Sequence, residues 1–401
     1  MKLHYKAATK EGKIVSGILE AKDVNEAVLY LRNKEFFPIQ IKKQENDLKV
    51  LTLFGLGKVK TNELVLFTRQ MSSMLSSGLT LIRCLELYRE QTQNPQMAEV
   101  IGGVISDVEE GKPFSAAIAK YPDVFTPIYV SLIKAGESSG LLDKVLQRLA
   151  ENLEKQAKLK STIKGAMMYP IIVVSLMVVV IFVMMIFVIP QLTGLYSNLN
   201  IPLPLPTQII MALSNFVIMF WPLMIGVGAG IFIFYSRWSK TEKGRSVIDA
   251  LVLKMPIFGK LIKETILTEF SRTFGLLVGT GTLIVEALLE TADTTGNIYY
   301  RNAIKGVARQ VEKGVPLGEA MVAYPLFPGM IVQLVKVGEQ TGKVDESLTK
   351  ASEYYEREVN QTVKTLTTAM EPFIMVVLGV GVAFLIISVI TPIYRLISTI
   401  Q

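Results

Sequence analysis

The chain is short of the residues on which most enzymes rely. Its 401 positions hold one cysteine, Cys84, and one histidine, His4. A single cysteine excludes an intrachain disulfide, and a Cys/His zinc centre needs about four such ligands. Chemistry that requires a histidine base is all but excluded too, because His4 stands in a strand-like opening stretch. The start, MKLHYKAATKEGK, has no apolar core, so no cleaved secretory leader is expected. The most informative shortage is charge. No Asp, Glu, Lys, Arg or His occurs in the 72 residues from Gly165 to Ser236, nor in the 23 from Pro372 to Tyr394.

Half the residues are hydrophobic and 19% are charged, which is too apolar for an ordinary soluble protein. The net charge of +7 is therefore read by its placement. Of the 42 Lys and Arg residues, 24 precede Gly165, 17 lie between Arg237 and Glu371, and only Arg395 lies beyond. That distribution points to cytoplasmic segments of a membrane protein and not to nucleic-acid binding.

The first charge-free block divides into two spans. Ile171–Ile189 is an apolar run bracketed by Pro170 and Pro190, long enough to cross a hydrocarbon core. Gln191–Thr207 carries three prolines at alternating positions, which predict an extended loop. The chain returns through Gln208–Tyr235, interrupted at Trp221-Pro222, and a third span begins after Glu371. Three spans put both charged regions on the cytoplasmic side and the C-terminus on the other.

Residues 1–43 read as a small α/β unit: a hairpin around KEGK, a short helix capped by Asp23 and Glu26, and a strand in FPIQIKK. Residues 44–60 form a linker. From Thr61 to Lys164 the period is helical, with breaks at Gly78, Pro95, Gly111 to Pro113, Tyr121-Pro122 and Gly136 to Gly140. About six helices follow, the last of which is expected to run on into the first span.

That region occurs twice. At an offset of 203, Phe67 and Arg69 meet Phe270 and Arg272, Gly78 meets Gly281, Gly103 meets Gly306, and Tyr121-Pro122 meet Tyr324-Pro325. At 202, Lys134, Gly136, Glu137, Gly140 and Asp143 meet Lys336, Gly338, Glu339, Gly342 and Asp345, and Pro170 meets Pro372. The expected fold is thus an all-α membrane protein: two duplicated cytoplasmic six-helix bundles with three transmembrane helices, plus the N-terminal α/β unit. Its segments are 61–168 and 237–371 for the bundles, with spans at 169–190, 208–236 and 372–395. An extracytoplasmic loop at 191–207 and a tail at 396–401 complete it.

Few residues suggest chemistry. Val337–Lys343 resembles a phosphate-binding loop, but only three residues separate its glycines, Val344 follows the lysine, and the other copy lacks the lysine. The glycines read better as bounding a turn, with Ser or Thr capping the next helix. Glu137 with Asp143, and Glu339 with Asp345, offer too few carboxylates for a calcium site and read as caps or ion-pair partners. Arg69 and Arg272 are expected to make salt bridges inside their bundles, with the turn glutamate as one partner, or to contact another protein. The spans carry no ionisable group, which argues against a transporter. Gly226 with Gly230, and Gly379 with Ala383, form small-residue faces suited to helix packing. Lys155, Lys158, Lys160 and Lys164 stand before the first span, where anionic headgroups would meet them.

The doubled G-E-x-x-G turn, the F-x-R of each opening helix, the Ser77-Gly78 and Thr280-Gly281 stretches, and Met-Met-Tyr-Pro before the first span resemble the platform protein family of type IV pilus assembly and type II secretion. Copy 2 departs in having Met-Glu-Pro there. The resemblance implies a non-enzymatic, inner-membrane scaffold without a cofactor. It also implies as partners a cytoplasmic hexameric assembly ATPase, pilin or pseudopilin subunits, other inner-membrane assembly proteins and further copies of itself. A secondary transporter and a membrane-tethered regulatory protein remain the alternatives.

Overall fold

Alternating apolar residues in LHYKAA and IVSGILE suit strands with one face buried. A computed structural model describes residues 2–8, 14–20, 28, 30–31, 36–43, 59–188, 190–191, 205–256 and 258–400. Lys2–Ala8 (β1), Ile14–Glu20 (β2) and Phe37–Lys43 (β3) form a sheet in the order β2-β1-β3, with both pairings antiparallel. Of the short helix expected after the hairpin, Val28, Tyr30 and Leu31 are helical, while its caps Asp23 and Glu26 and the linker through residue 58 lie outside the described residues. The chain divides into two compact units, Met1–Lys60 and Thr61–Gln401.

In the second unit the helices are Thr61–Ser76 (α1), Leu81–Gln91 (α2), Pro95–Glu109 (α3), Phe114–Ile118 (α4), Pro127–Ser139 (α5) and Leu142–Val183 (α6). A π-helical stretch, Met184–Val188, extends α6, and Leu205–Trp238 (α7) and Glu242–Lys254 (α8) follow. The second set is Phe258–Gly279 (α9), Ile284–Thr294 (α10), Ile298–Glu312 (α11), Leu317–Val322 (α12), Gly329–Thr341 (α13) and Val344–Ile400 (α14). The two sets correspond helix for helix, α1 with α9 through α6 with α14.

Local chemistry is duplicated as well. Asn94 caps α3 by accepting from the amides of Gln96 and Met97, and Asn297 caps α11 through Tyr299 and Tyr300. Each bundle is centred on touching aromatic rings. Phe67 lies 4.9 Å from Tyr88 and 5.8 Å from Phe125, and Phe270 lies 5.4 Å from Phe327. All five are buried, and such edge and tilted contacts add to the burial term.

Two differences from the sequence expectation concern proline. Pro170 does not bracket a span but lies inside α6, and Pro222 lies inside α7. A proline removes one amide donor, and a long apolar helix with many other bonds in series absorbs that loss. The second apolar helix also starts earlier than expected, at Leu205. The loop residues 192–204 lie outside the described residues.

The bundles pack against each other asymmetrically. α6 lies in the groove between α9 and α14, and α5 touches α10. Leu159 of α6 joins Leu261 of α9 and Val359, Val363 and Leu366 of α14 in one buried cluster, with Ile163, Met167, Phe258 and Met370 around it. The repeat counterparts of Leu159 and Ile163 are Gln361 and Thr365, both exposed. Copy 1 therefore presents an apolar edge to copy 2, and copy 2 presents a polar one to the outside.

Candidate functional site

The doubled turns form from two different glycine requirements. Gly140 follows α5 at φ 69°, ψ 15°, and Gly342 follows α13 at φ 70°, ψ 14°, the left-handed region open to glycine. The Leu141 amide donates to the Gly136 carbonyl at 2.9 Å, and the Lys343 amide to the Gly338 carbonyl at 2.8 Å, which is the Schellman closure of a helix end. Gly136 and Gly338 are inside the helices and serve close approach. A β-carbon at Gly136 would stand 3.0 Å from Val145, and one at Gly338 2.7 Å from the Ser347 hydroxyl. The expected Ser/Thr cap of the following helix does not form. Leu141 occupies the N-cap of α6 without a side-chain bond, and Ser139 donates back to the Ala135 carbonyl.

The turn glutamates act at a distance. Glu137 accepts from the Phe114 amide at 2.7 Å, and from the Ser115 amide at 3.2 Å and hydroxyl at 2.6 Å. Glu339 accepts from the Leu317 amide at 2.6 Å and the Gly318 amide at 3.0 Å. The short helices α4 and α12 begin after Pro113 and Pro316, whose side chains cannot cap. The glutamate of the G-E-x-x-G turn supplies the missing acceptor. Asp143 and Asp345 stand in the first turns of α6 and α14, where a negative charge suits the helix dipole. Among the described residues, no group of three or more His, Cys, Asp or Glu side chains is placed to hold a metal.

With the turn glutamates so engaged, each arginine makes its salt bridge inside its bundle, but to Glu154 or Glu356 and not to the turn glutamate. Arg69 makes a two-pronged pair with Glu154, its Nε donating to Oε1 at 2.6 Å and its Nη2 to Oε2. The bond with Glu154 raises the Arg69 pKa, and that with Arg69 lowers the Glu154 carboxyl. Arg272 pairs with Glu356 through Nη2 at 2.6 Å. Its side chain is 7% exposed against 38% for Arg69, and its Nε and Nη1 have no protein partner among the described residues. Burial accordingly lowers the Arg272 pKa, although Glu356 and Glu269 oppose that. In the sequence Glu154 reads only as an i,i+4 partner of Lys158 and nothing marks Glu356, yet the same 202-residue offset relates them.

Where the bundles meet, charged groups surround a cleft of about 500 Å³ lined by Arg148, Glu151, Arg272, Asp345, Lys350 and Glu353 among others. Arg148 donates to the Gly279 carbonyl at 2.8 Å, and Lys155 lies 3.9 Å from Glu353. The Ser131 hydroxyl donates to Glu290 at 2.5 Å, and burial raises the Glu290 carboxyl above its ordinary value.

α6 and α14 leave this seam and run on without a break into apolar stretches. Leu142–Phe187 and Val344–Ala383 are long and apolar enough to cross a membrane, and only 6% and 11% of their most apolar windows are buried. No described atom lies within 4 Å of a β-carbon built at Gly226, Gly230 or Gly379, and Ala383 is exposed. The close approach between these helices occurs instead at Gly381, where a built β-carbon would stand 2.6 Å from the Met177 methyl.

Comparison with known proteins accounts for the duplication. The family model described as "Type II secretion system (T2SS), protein F" matches twice, at residues 67–190 and 270–392, and its N-terminal domain matches residues 4–42. The type IV pilus assembly protein PilC of Thermus thermophilus is 35% identical over 99% of this chain and 98% of its own length. PilC of Pseudomonas aeruginosa is 35% identical over 92% and 97%. The type II secretion system protein F of Vibrio cholerae is 27% identical over 98% and 97%. Two matches that fall on the two bundles, together with relatives covered over nearly their full length, place the chain in the type II secretion system protein F family.

Proposed function

We propose that the protein is the inner-membrane platform of a filament-assembling machine, and that it converts displacement of its bundles into movement of its membrane helices. The observation that carries this reading is the pair of unbroken helices, α6 and α14, each starting in a bundle, meeting at the apolar seam and ending in an apolar run. A continuous helix of 42 residues is about 63 Å long and one of 57 about 85 Å, so each can act as a lever. Of the two machines named by the relatives, the pilus is favoured: identity is 32–35% to five pilus proteins and 27% to three secretion proteins.

In this reading α7 is a third span, beside those in α6 and α14. The N-terminal unit and both bundles are cytoplasmic, and the C-terminus is outside. A cytoplasmic hexameric assembly ATPase works on the bundles. Pilin helices pass along the spans, where Gly226, Gly230, Gly379 and Ala383 leave open small-residue faces. Other inner-membrane assembly proteins, membrane lipid and at least one further copy of the chain complete the platform. No nucleic acid, cofactor or catalytic residue enters it, and Arg69, Arg272 and the turn residues keep the bundles rigid. The test is detergent co-purification of the full chain from its own cell, repeated with each bundle deleted. A secretion-type ATPase and pilins, lost with one bundle, are the expected yield. Recovery of neither, with a bound small solute instead, would contradict the proposal.

A further inference from the structure

The helix α8 has no counterpart among the described residues of copy 1, and its outer face is apolar. Val247 and Leu251 on that face, and Met255 at the C-cap just after it, are 56%, 65% and 43% exposed. Lysines border that stripe: Lys243 and Lys254 on α8 and Lys240 just before it are exposed, as is one acid, Glu242. The opposite face is occupied. The Asp249 carboxylate accepts from the Ile298 amide at 2.7 Å, Arg245 donates to the Gly296 carbonyl at 2.8 Å, and the Ser246 and Tyr299 hydroxyls are 3.1 Å apart. The start of α11 thus stands on the inner face of α8.

Both ends of α8 are pinned where the chain enters its apolar helices. Ser239, Lys240 and Thr241 alone separate it from the end of α7 at Trp238. Four residues beyond its end at Lys254, Phe258 packs against the same buried cluster that Met167 and Met370 border, at the exits of α6 and α14 from the bundles. A helix tied at both ends to that level, with a bundle on one face, has its other face towards the membrane.

We propose that α8 lies in the plane of the anionic cytoplasmic leaflet, with Val247, Leu251 and Met255 among the acyl chains and Lys240, Lys243 and Lys254 on lipid phosphates. An apolar stripe flanked by lysines is the pattern of an interfacial helix, and the lysines match the charge of that surface. The inference rests on the proposed placement of α7 across the membrane, and its function would be to seat bundle 2 on the bilayer at a fixed height.

Single cysteines at Leu251, at Phe216 within α7 and at exposed Lys313 at the end of α11, made in a Cys84→Ala chain, carry the test. The full protein is labelled with an environment-sensitive fluorophore and reconstituted into phosphatidylethanolamine–phosphatidylglycerol vesicles. The Leu251 label is expected to emit to the blue of the Lys313 label, to be quenched by nitroxide lipid and to lose quenching by iodide. Lys243→Gln with Lys254→Gln should weaken that lipid quenching while the Phe216 label stays lipid-quenched. Iodide quenching at Leu251 with Phe216 still in lipid would overturn the inference alone. Shielding of Leu251 from both quenchers would overturn it in favour of a protein partner. Iodide quenching at Phe216 would overturn the topology and the inference with it.

Discussion

The two arginine–glutamate pairs are one interaction placed in two solvents. Arg69 and Glu154 are both well exposed, so water already serves their charges and the pair adds little. Arg272 is buried with donors unpaired, and among the described residues Glu356 is the one carboxylate that it pairs with directly. Glu356→Ala is expected to cost about 3–5 kcal/mol, and Glu154→Ala less than about 1 kcal/mol. Chemical unfolding of the purified protein in mild detergent measures both, and equal losses would contradict the assignment. A further carboxylate contributes to the acid sensitivity of bundle 1. Lys112 and Lys120 each donate to Asp107 at 2.6 Å and hold its carboxyl below its ordinary value of 3.8. A depressed pKa gives stability that is present above the unfolded value and lost as pH falls through the folded one. The unfolding temperature should therefore drop below about pH 4 more steeply in the natural chain than in Asp107→Asn. Parallel curves would show that Asp107 contributes nothing.

Among the elements, the seam decides how the two copies act together. Leu159 is 2% exposed and contacts both α9 and α14, whereas its repeat counterpart Gln361 faces outward. Leu159→Ala should cost about 2–5 kcal/mol through the cavity it leaves, and Gln361→Ala no more than about 0.5 kcal/mol. A small effect of Leu159→Ala in the same unfolding measurement would mean that the bundles do not stand on this contact. The helices themselves were legible in the sequence because periodic apolar residues, Gly-Pro breaks and the repeat agree over long stretches. The course of the long helices was less so: Pro170 and Pro222 look like stops, yet the apolar helix continues through both. The turn glutamates were legible as caps but not as remote ones. Their target amides lie 21 to 23 residues away, and only folding brings them together. The seam was not legible at all, since the repeat hides which face of each copy is used.

The whole molecule, in the proposed reading, is a pair of levers sharing one fulcrum. The bundles meet at the cluster around Leu159 and Val363, and α6 and α14 run on from it into their apolar stretches. Displacing one bundle must then tilt or slide both apolar helices, provided the helices stay rigid between Leu142 and Phe187 and between Val344 and Ala383. Rigidity across the junction is thus the central claim, and breaking the helix there tests it most directly. A Gly-Gly-Ser insertion between Lys164 and Gly165, or between Leu366 and Thr367, uncouples a bundle from its apolar run without removing either. Surface filaments of the parent cell should be lost with each insertion, while the protein remains in the membrane and still recovers the assembly ATPase on purification. Normal filaments in either strain would contradict the lever account.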